Sequence, residues 1–242
     1  ALNVPDALSE METSELMRAI AAENETVNDL VCFLGAGAYS HYIPAAVDML
    51  LRRGEFYTAY TPYQAEVSQG TLQAIFEYQS LIGELVGMDV VSTPTYDWGA
   101  AADSAVAMAC RITGRSQILV PTSMDRARLS QMRGFTKPVA TVIEVAMDGR
   151  TGEIDRRDLA EKLSADTAAV YIEVPSFLGV VDGGAPDIVK RAHAKGALAV
   201  VGVDPVSLGV LEAPGNYGAD LVVGDLQPLG MHMYAGGGQA GF

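Results

Sequence analysis

Cysteine is scarce in this chain: 242 residues hold only Cys32 and Cys110, both in apolar surroundings, with no Cys-x-x-Cys pair and no histidine at ligand spacing. A disulfide framework and a zinc site are both disfavoured, small core residues are the simpler reading, and a reducing cytoplasm is the expected compartment. Histidine is equally sparse, and His41, His193 and His232 lie too far apart in sequence to suggest a metal centre. Positive charge is thin. Twelve arginines and four lysines face 30 acidic residues for a net charge of −14, which would repel a phosphate backbone and excludes nucleic acid as a partner. No run of about 18 apolar residues escapes polar interruption, so no membrane-crossing helix is expected. No basic-then-apolar leader opens the chain. It begins Ala1-Leu2-Asn3 without a methionine, and further residues are expected to precede it. Two catalytic signatures are missing as well. Gly35 and Gly37 lack the third glycine of a dinucleotide fingerprint, and no Gly-x-Ser-x-Gly elbow is present.

What is there is a foldable composition, 49% hydrophobic and 19% charged, long enough to bury a core without staples. Ser9-Glu10-Met11-Glu12 has capping-box spacing, and the apolar residues after it predict a helix running to about Asn24. Ile43-Pro44 starts a short helix that Gly54 can end. Glu55 to Gly70 reads as an irregular, aromatic-rich stretch, and Thr71 to Val86 as an amphipathic helix. β-rich runs are expected at Asp89–Ser92, Gln117–Pro121, Val139–Val145, Ala168–Val174, Ala197–Val203 and Asp220–Val223. Helical patterns at Trp98–Ile112, Arg126–Arg133, Arg156–Leu163 and Ala185–Lys195 separate them. Such alternation implies an α/β fold, a mostly parallel mixed sheet flanked by helices. The runs at 169–174 and 197–203 are nearly continuously apolar, as central strands buried on both faces must be. Residues 1–54 read as an N-terminal helical extension and 55–242 as one large α/β domain. The glycine-rich close at Tyr234–Phe242 supplies no final helix, so a smaller C-terminal domain is expected beyond it.

Ligands of such folds sit where strands end and helices begin. The richest junction is Thr93–Ala101, where Tyr96, Asp97 and Gly99 stand at a helix N-terminus that could favour an anion. The competing reading makes Asp97 an ordinary N-cap and Gly99 a close-packing residue. Asp204, ending the most apolar strand ahead of Pro205, is either a cap or a carboxylate with a charged partner such as a pyridinium nitrogen. The segment Phe56–Gly70, with Tyr60, Pro62, Tyr63, Gln64, Glu66 and Gln69, is either a loop capping its own domain or the mouth of an interface or substrate site.

Several of these runs together resemble glycine decarboxylase, the P-protein of the glycine cleavage system. They are Phe33-Leu34-Gly35-Ala36-Gly37 with His41-Tyr42-Ile43-Pro44, Phe56–Gln64 with Glu66 and Gln69-Gly70, Thr71–Gln79, and Gly87-Met88-Asp89-Val90. The most diagnostic are Val203–Leu211, Pro214–Asp220 and Val222–Gly230, which are similar to the first (alpha) subunit of the two-subunit bacterial form. The resemblance implies the large domain of fold-type I, aspartate aminotransferase-like pyridoxal phosphate enzymes. It implies a complex that decarboxylates glycine and passes the aminomethyl group to the lipoyl arm of H-protein, in the cytoplasm.

In the catalytic half of that family a His-Lys pair precedes the glycine-rich turn and its lysine holds the coenzyme. The comparable stretch here is Leu226-Gln227-Pro228-Leu229, so Pro228 stands at the lysine's place. Lys137, Lys162, Lys190 and Lys195 fall in expected surface loops or helix ends. The resemblance therefore implies no catalytic residue of its own on this chain, and pyridoxal phosphate on a lysine-bearing beta subunit that it joins as a heterotetramer or similar assembly. Tyr96, Asp97, Gly99 and Asp204 become an inherited cofactor-binding shell. Trp98 departs from the smaller residues of that turn and fills the space of a phosphate. The Tyr60–Gln69 loop becomes the part that reaches the partner's active site. The remaining alternatives are a purely structural subunit and an independent pyridoxal phosphate enzyme.

Overall fold

The two apolar runs singled out above are β3 (Thr167–Glu173) and β4 (Leu198–Val203), buried along nearly their whole length and paired in parallel at the centre of a five-stranded sheet. The computed structural model describes residues 4–26, 29–31, 40–57, 65–232 and 240–242. The sheet order is β2-β1-β3-β4-β5, with β1 Gln117–Pro121, β2 Thr141–Val145 and β5 Leu221–Gly224, and every pairing is parallel. Among the described residues the antiparallel component is limited to isolated bridges: Met147 to Ile154, and Gly241 to Thr95 and to Asp225, where the last residues run between the segment before α5 and the end of β5.

Helices α4 (Ala65–Val86), α5 (Trp98–Thr113), α6 (Arg126–Thr136), α7 (Arg156–Lys162) and α8 (Ala185–Ala194) complete a three-layer sandwich. Alternate strand residues feed the two faces, as the period of two requires. Ile118, Val120, Tyr171, Val200 and Val223 pack with Ala101, Ala105, Ala109 and Met132 of α5 and α6, while Leu119, Val170, Ile172 and Val201 pack with Leu159, Ile188, Ala192 and Ile82 on the other side. The alanine-rich inner face of α5 lets that helix lie close to the sheet. Gly202 is part of the same fit, since a Cβ there would come within 2.6 Å of the Trp98 ring and 2.9 Å of the Tyr171 hydroxyl.

The chain divides into two compact units, Ala1–Ala36 and Gly37–Phe242. The first contains α1 (Glu10–Ala21), whose N-terminus is closed by the expected capping box: Ser9 N–H donates to the Glu12 carboxylate at 2.8 Å and Ser9 Oγ accepts from Glu12 N–H at 3.3 Å. In the second, α2 (Ala45–Leu51) follows Pro44 as expected.

Two expectations require correction. The stretch from Glu55 to Gly70 is not irregular throughout: a helical turn, α3, spans Gly54–Tyr57, and α4 begins at Ala65, six residues before the expected Thr71. Asp89–Ser92 is not a strand. It runs as a bend and coil with no ladder partner, and only Thr95 beyond it forms a bridge.

Candidate active-site edge

In the order 2-1-3-4-5 the winding reverses between β1 and β3, and the crevice outside their carboxyl ends is where such sheets receive ligands. Here that crevice is filled by the protein's own side chains. Asp125 caps α6 immediately after β1, accepting from Arg128 N–H at 2.8 Å, which aims the Arg128 side chain back over the sheet edge. Arg128 donates to Glu173 Oε1, at the end of β3, from Nε at 3.1 Å and from its terminal nitrogen at 3.0 Å. The Tyr171 hydroxyl donates to the same oxygen at 2.9 Å and accepts from Trp98 Nε1 at 3.0 Å. The guanidinium lies over the Trp98 ring, 4.2 Å from its centroid.

The cluster is dry. The Glu173 side chain is 0% exposed and that of Arg128 11%. Burial pushes the Glu173 carboxyl and the Tyr171 phenol up, and Arg128 opposes both shifts. Glu173 Oε2 has no protein partner. The adjoining cavity, lined by Ser123, Ser176 and Asp182 among others, measures only about 10 Å³, space for one water at most.

One helix away, two carboxylates close the N-terminus of α5. Asp97 accepts from Ala100 N–H at 2.7 Å, and Asp225, beyond the end of β5, accepts from Trp98 N–H at 2.9 Å. Burial raises Asp225 to about 6, with the charges of Asp97 and Asp204 pushing the same way and Trp98 N–H and Arg128 opposing. Burial likewise raises Asp103, on the buried side of α5, to about 6.

The residues singled out from sequence distribute around this edge. Asp97 is the N-cap of α5 and Asp204 that of the 3₁₀ turn Pro205–Gly209, where it accepts from Val206 N–H at 3.0 Å. Gly99 is packed so closely that a Cβ would meet Gln131 Oε1 at 2.5 Å, whereas Tyr96 is exposed. Trp98 is buried in the α5 face of the core. Pro228 lies buried in the 3₁₀ turn Gln227–Leu229 that follows β5, beside a Gln227 amide donating to Met231 O at 3.2 Å. Tyr60, Pro62, Tyr63 and Gln64 lie outside the described residues. Glu66 and the exposed Gln69 belong to the first turns of α4, so that part of the segment is helix rather than loop.

Lys137 and Lys195 are the C-caps of α6 and α8. Lys162 ends α7, bonded to Asp158 and the Glu144 carbonyl, and Lys190 sits on the exposed face of α8 rather than at its end. Cys110 is buried and unpaired; Cys32 lies outside the described residues. Arg128, Tyr171, Glu173 and Asp225 were not singled out from sequence. A signal existed for two of them, because Glu173 and Asp225 end apolar strands just as Asp204 does. Among the described residues no group of three metal-ligating side chains occurs, and no helix is long and apolar enough to cross a membrane.

The family model of the glycine cleavage system P-protein matches residues 1–242. A probable glycine dehydrogenase (decarboxylating) subunit 1 of Pyrococcus furiosus is 47% identical over 242 residues, covering 99% of this chain and 54% of that protein. The chain thus spans about half the length of such curated relatives. The crystal structure of glycine decarboxylase (P-protein) of the glycine cleavage system, in inhibitor-bound form, superposes with a TM-score of 0.89 at 39% identity, over 99% of this chain and 53% of that one. A Lactobacillus brevis glutamate decarboxylase shares the fold alone, with a TM-score of 0.70 at 13% identity over 100% of this chain and 58% of its own. The architecture is that of the fold-type I large domain.

Proposed function

Because the chain belongs to the glycine cleavage system P-protein family, we propose that it is part of subunit 1 of a two-subunit glycine dehydrogenase (decarboxylating), non-catalytic in itself and completed by a lysine-bearing second subunit. The observation that supports this reading is that Pro228, which the family resemblance sets at the place of the coenzyme lysine, is buried in the turn after β5, with the four lysines of the chain on other elements.

The family's coenzyme, pyridoxal phosphate, does not fit the residues found here. No amine stands at the carboxyl edge to hold it, and the α5 N–H groups of Trp98 and Ala100 already bond to Asp225 and Asp97. No reaction step is derived through it on this chain. The partner carries the coenzyme in this reading, takes glycine, and delivers the aminomethyl group to lipoylated H-protein. This chain supplies a rigid wall and the Tyr60–Gln69 segment that reaches across, in a heterotetramer or a similar assembly. Residues 55–242 act as the large domain, followed in the complete protein by a smaller one. A cytoplasmic setting agrees with the buried free thiol of Cys110.

Co-expression with a candidate second subunit, followed by glycine–bicarbonate exchange, tests the proposal. Exchange is expected only from the pair, and exchange by this protein without a partner overturns it. Within the assembled pair, Tyr63→Ala with Glu66→Ala is expected to lower exchange at least tenfold. Unchanged exchange with intact assembly reduces the segment to scaffolding.

A further inference from the structure

We infer that the carboxyl edge of this chain is a self-filled coenzyme site, in which Asp225 and Asp97 stand in for a phosphate at the α5 N-terminus and the stacked Trp98–Arg128 pair takes the remaining space, so that phosphate-bearing ligands are excluded. The inference rests on the family reading above but adds to it. Lack of the lysine removes only the covalent bond, whereas a filled site removes non-covalent binding as well.

Three observations carry it. First, two of the first-turn donors are taken. A helix N-terminus binds an anion through free N–H groups and its dipole, and Trp98 N–H and Ala100 N–H already meet carboxylate oxygens at 2.9 and 2.7 Å. Asp225 comes from the segment just after β5, 127 residues away in sequence, so this is a tertiary contact and not a local cap. Second, the charge is wrong. Burial raises the proton affinity of Asp225, and the charges of Asp97 and Asp204 push the same way, while the nearby cation, Arg128, already serves Glu173. A phosphate dianion entering here would meet carboxylates rather than free cations. Third, the space around Trp98 and Glu173 is taken. Trp98 is 6% exposed, seated against Gly202 on one side and under Arg128 on the other, and the switch-point cavity beside Glu173 is about 10 Å³.

The test uses the complete protein assembled with its second subunit and reduced with borohydride, so that the partner's sites are permanently filled. The probes are inorganic phosphate and pyridoxine 5′-phosphate, which lacks the aldehyde and forms no bond to lysine. Binding is read by titration calorimetry and ³¹P NMR. The unsubstituted complex is expected to show no saturable binding to 1 mM. Asp225→Ala, which frees Trp98 N–H, is expected to create one site per copy of this chain and at least a tenfold gain in affinity. Asp225→Asn keeps the acceptor but removes the charge, and a smaller gain is expected; it carries the test if the alanine variant does not fold. Trp98→Gly combined with Asp225→Asn is expected to favour pyridoxine 5′-phosphate over inorganic phosphate, because the ring's space is released.

Saturable sub-millimolar binding to this chain in the unsubstituted complex overturns the inference. So does a folded set of variants in which none gains affinity. Either result leaves the family reading standing, since that reading is tested separately, by exchange without a partner and by coenzyme found on a lysine of this chain during the preparatory reduction.

Discussion

Two openings on the sheet contrast sharply. The switch-point crevice between β1 and β3, where the topology places a ligand, is packed with Arg128, Tyr171, Glu173 and Trp98 and leaves about 10 Å³. The flank of β5, between α5 and residues 86–95, holds a groove of about 500 Å³ lined largely by apolar groups such as Val86, Val91, Ala105, Met108, Val222 and Phe242. Topology determines where strand ends converge. Side-chain chemistry then determines whether the place is open, and here the polar site is closed while the open one offers few polar groups to orient a small ligand.

The largest test of that contrast is Arg128→Ala. It would leave the fully buried Glu173 carboxylate unpaired, and an expected loss of about 3–5 kcal/mol in urea-unfolding stability follows from breaking a buried pair. A loss below about 1 kcal/mol would mean that water reaches the crevice and that the two openings differ less than their geometry suggests.

Next is Asp225→Asn. A carboxyl raised in the folded state to about 6 contributes stability that is fully present below its unfolded pKa and is lost as pH rises through 6. The asparagine variant keeps an acceptor for Trp98 N–H and avoids that loss. It is expected to be more stable than the parent by about 1–3 kcal/mol at pH 8, with the difference vanishing near pH 4, as read from thermal unfolding across pH. A difference independent of pH would contradict the burial argument.

Trp98→Phe keeps the ring under Arg128 but removes the 3.0 Å bond to the Tyr171 hydroxyl, and about 1 kcal/mol is expected. The smallest effect is expected in the open groove. Met108→Gln, at a side chain 41% exposed, should change stability by less than about 0.5 kcal/mol. A change above 2 kcal/mol would show that the groove is covered in the complete protein.

The central sheet was legible because burial on both faces forces β3 and β4 into unbroken apolar runs, a signal that needs no knowledge of neighbours. Asp89–Ser92 carries a similar local pattern yet finds no ladder, since strand formation depends on a partner that local residues do not specify. The early start of α4 was hidden by Gly70, a poor helix former that tertiary packing overrides; a Cβ there would sit 3.4 Å from the Glu55 carbonyl. At the site, Asp97 and Asp204 were visible as carboxylates at junctions, and their capping geometry is local. The Arg128–Glu173 pair was not visible. The two residues are 45 apart and meet only because β1 lies beside β3, so the residues that close the site depend on sheet order, which no short motif records.

Borohydride reduction of the complete protein assembled with its proposed second subunit, followed by peptide mapping, addresses the functional reading most directly. Pyridoxyl-lysine is predicted on the second subunit alone, with Lys137, Lys162, Lys190 and Lys195 unmodified. Stoichiometric coenzyme on any of those four lysines would contradict it.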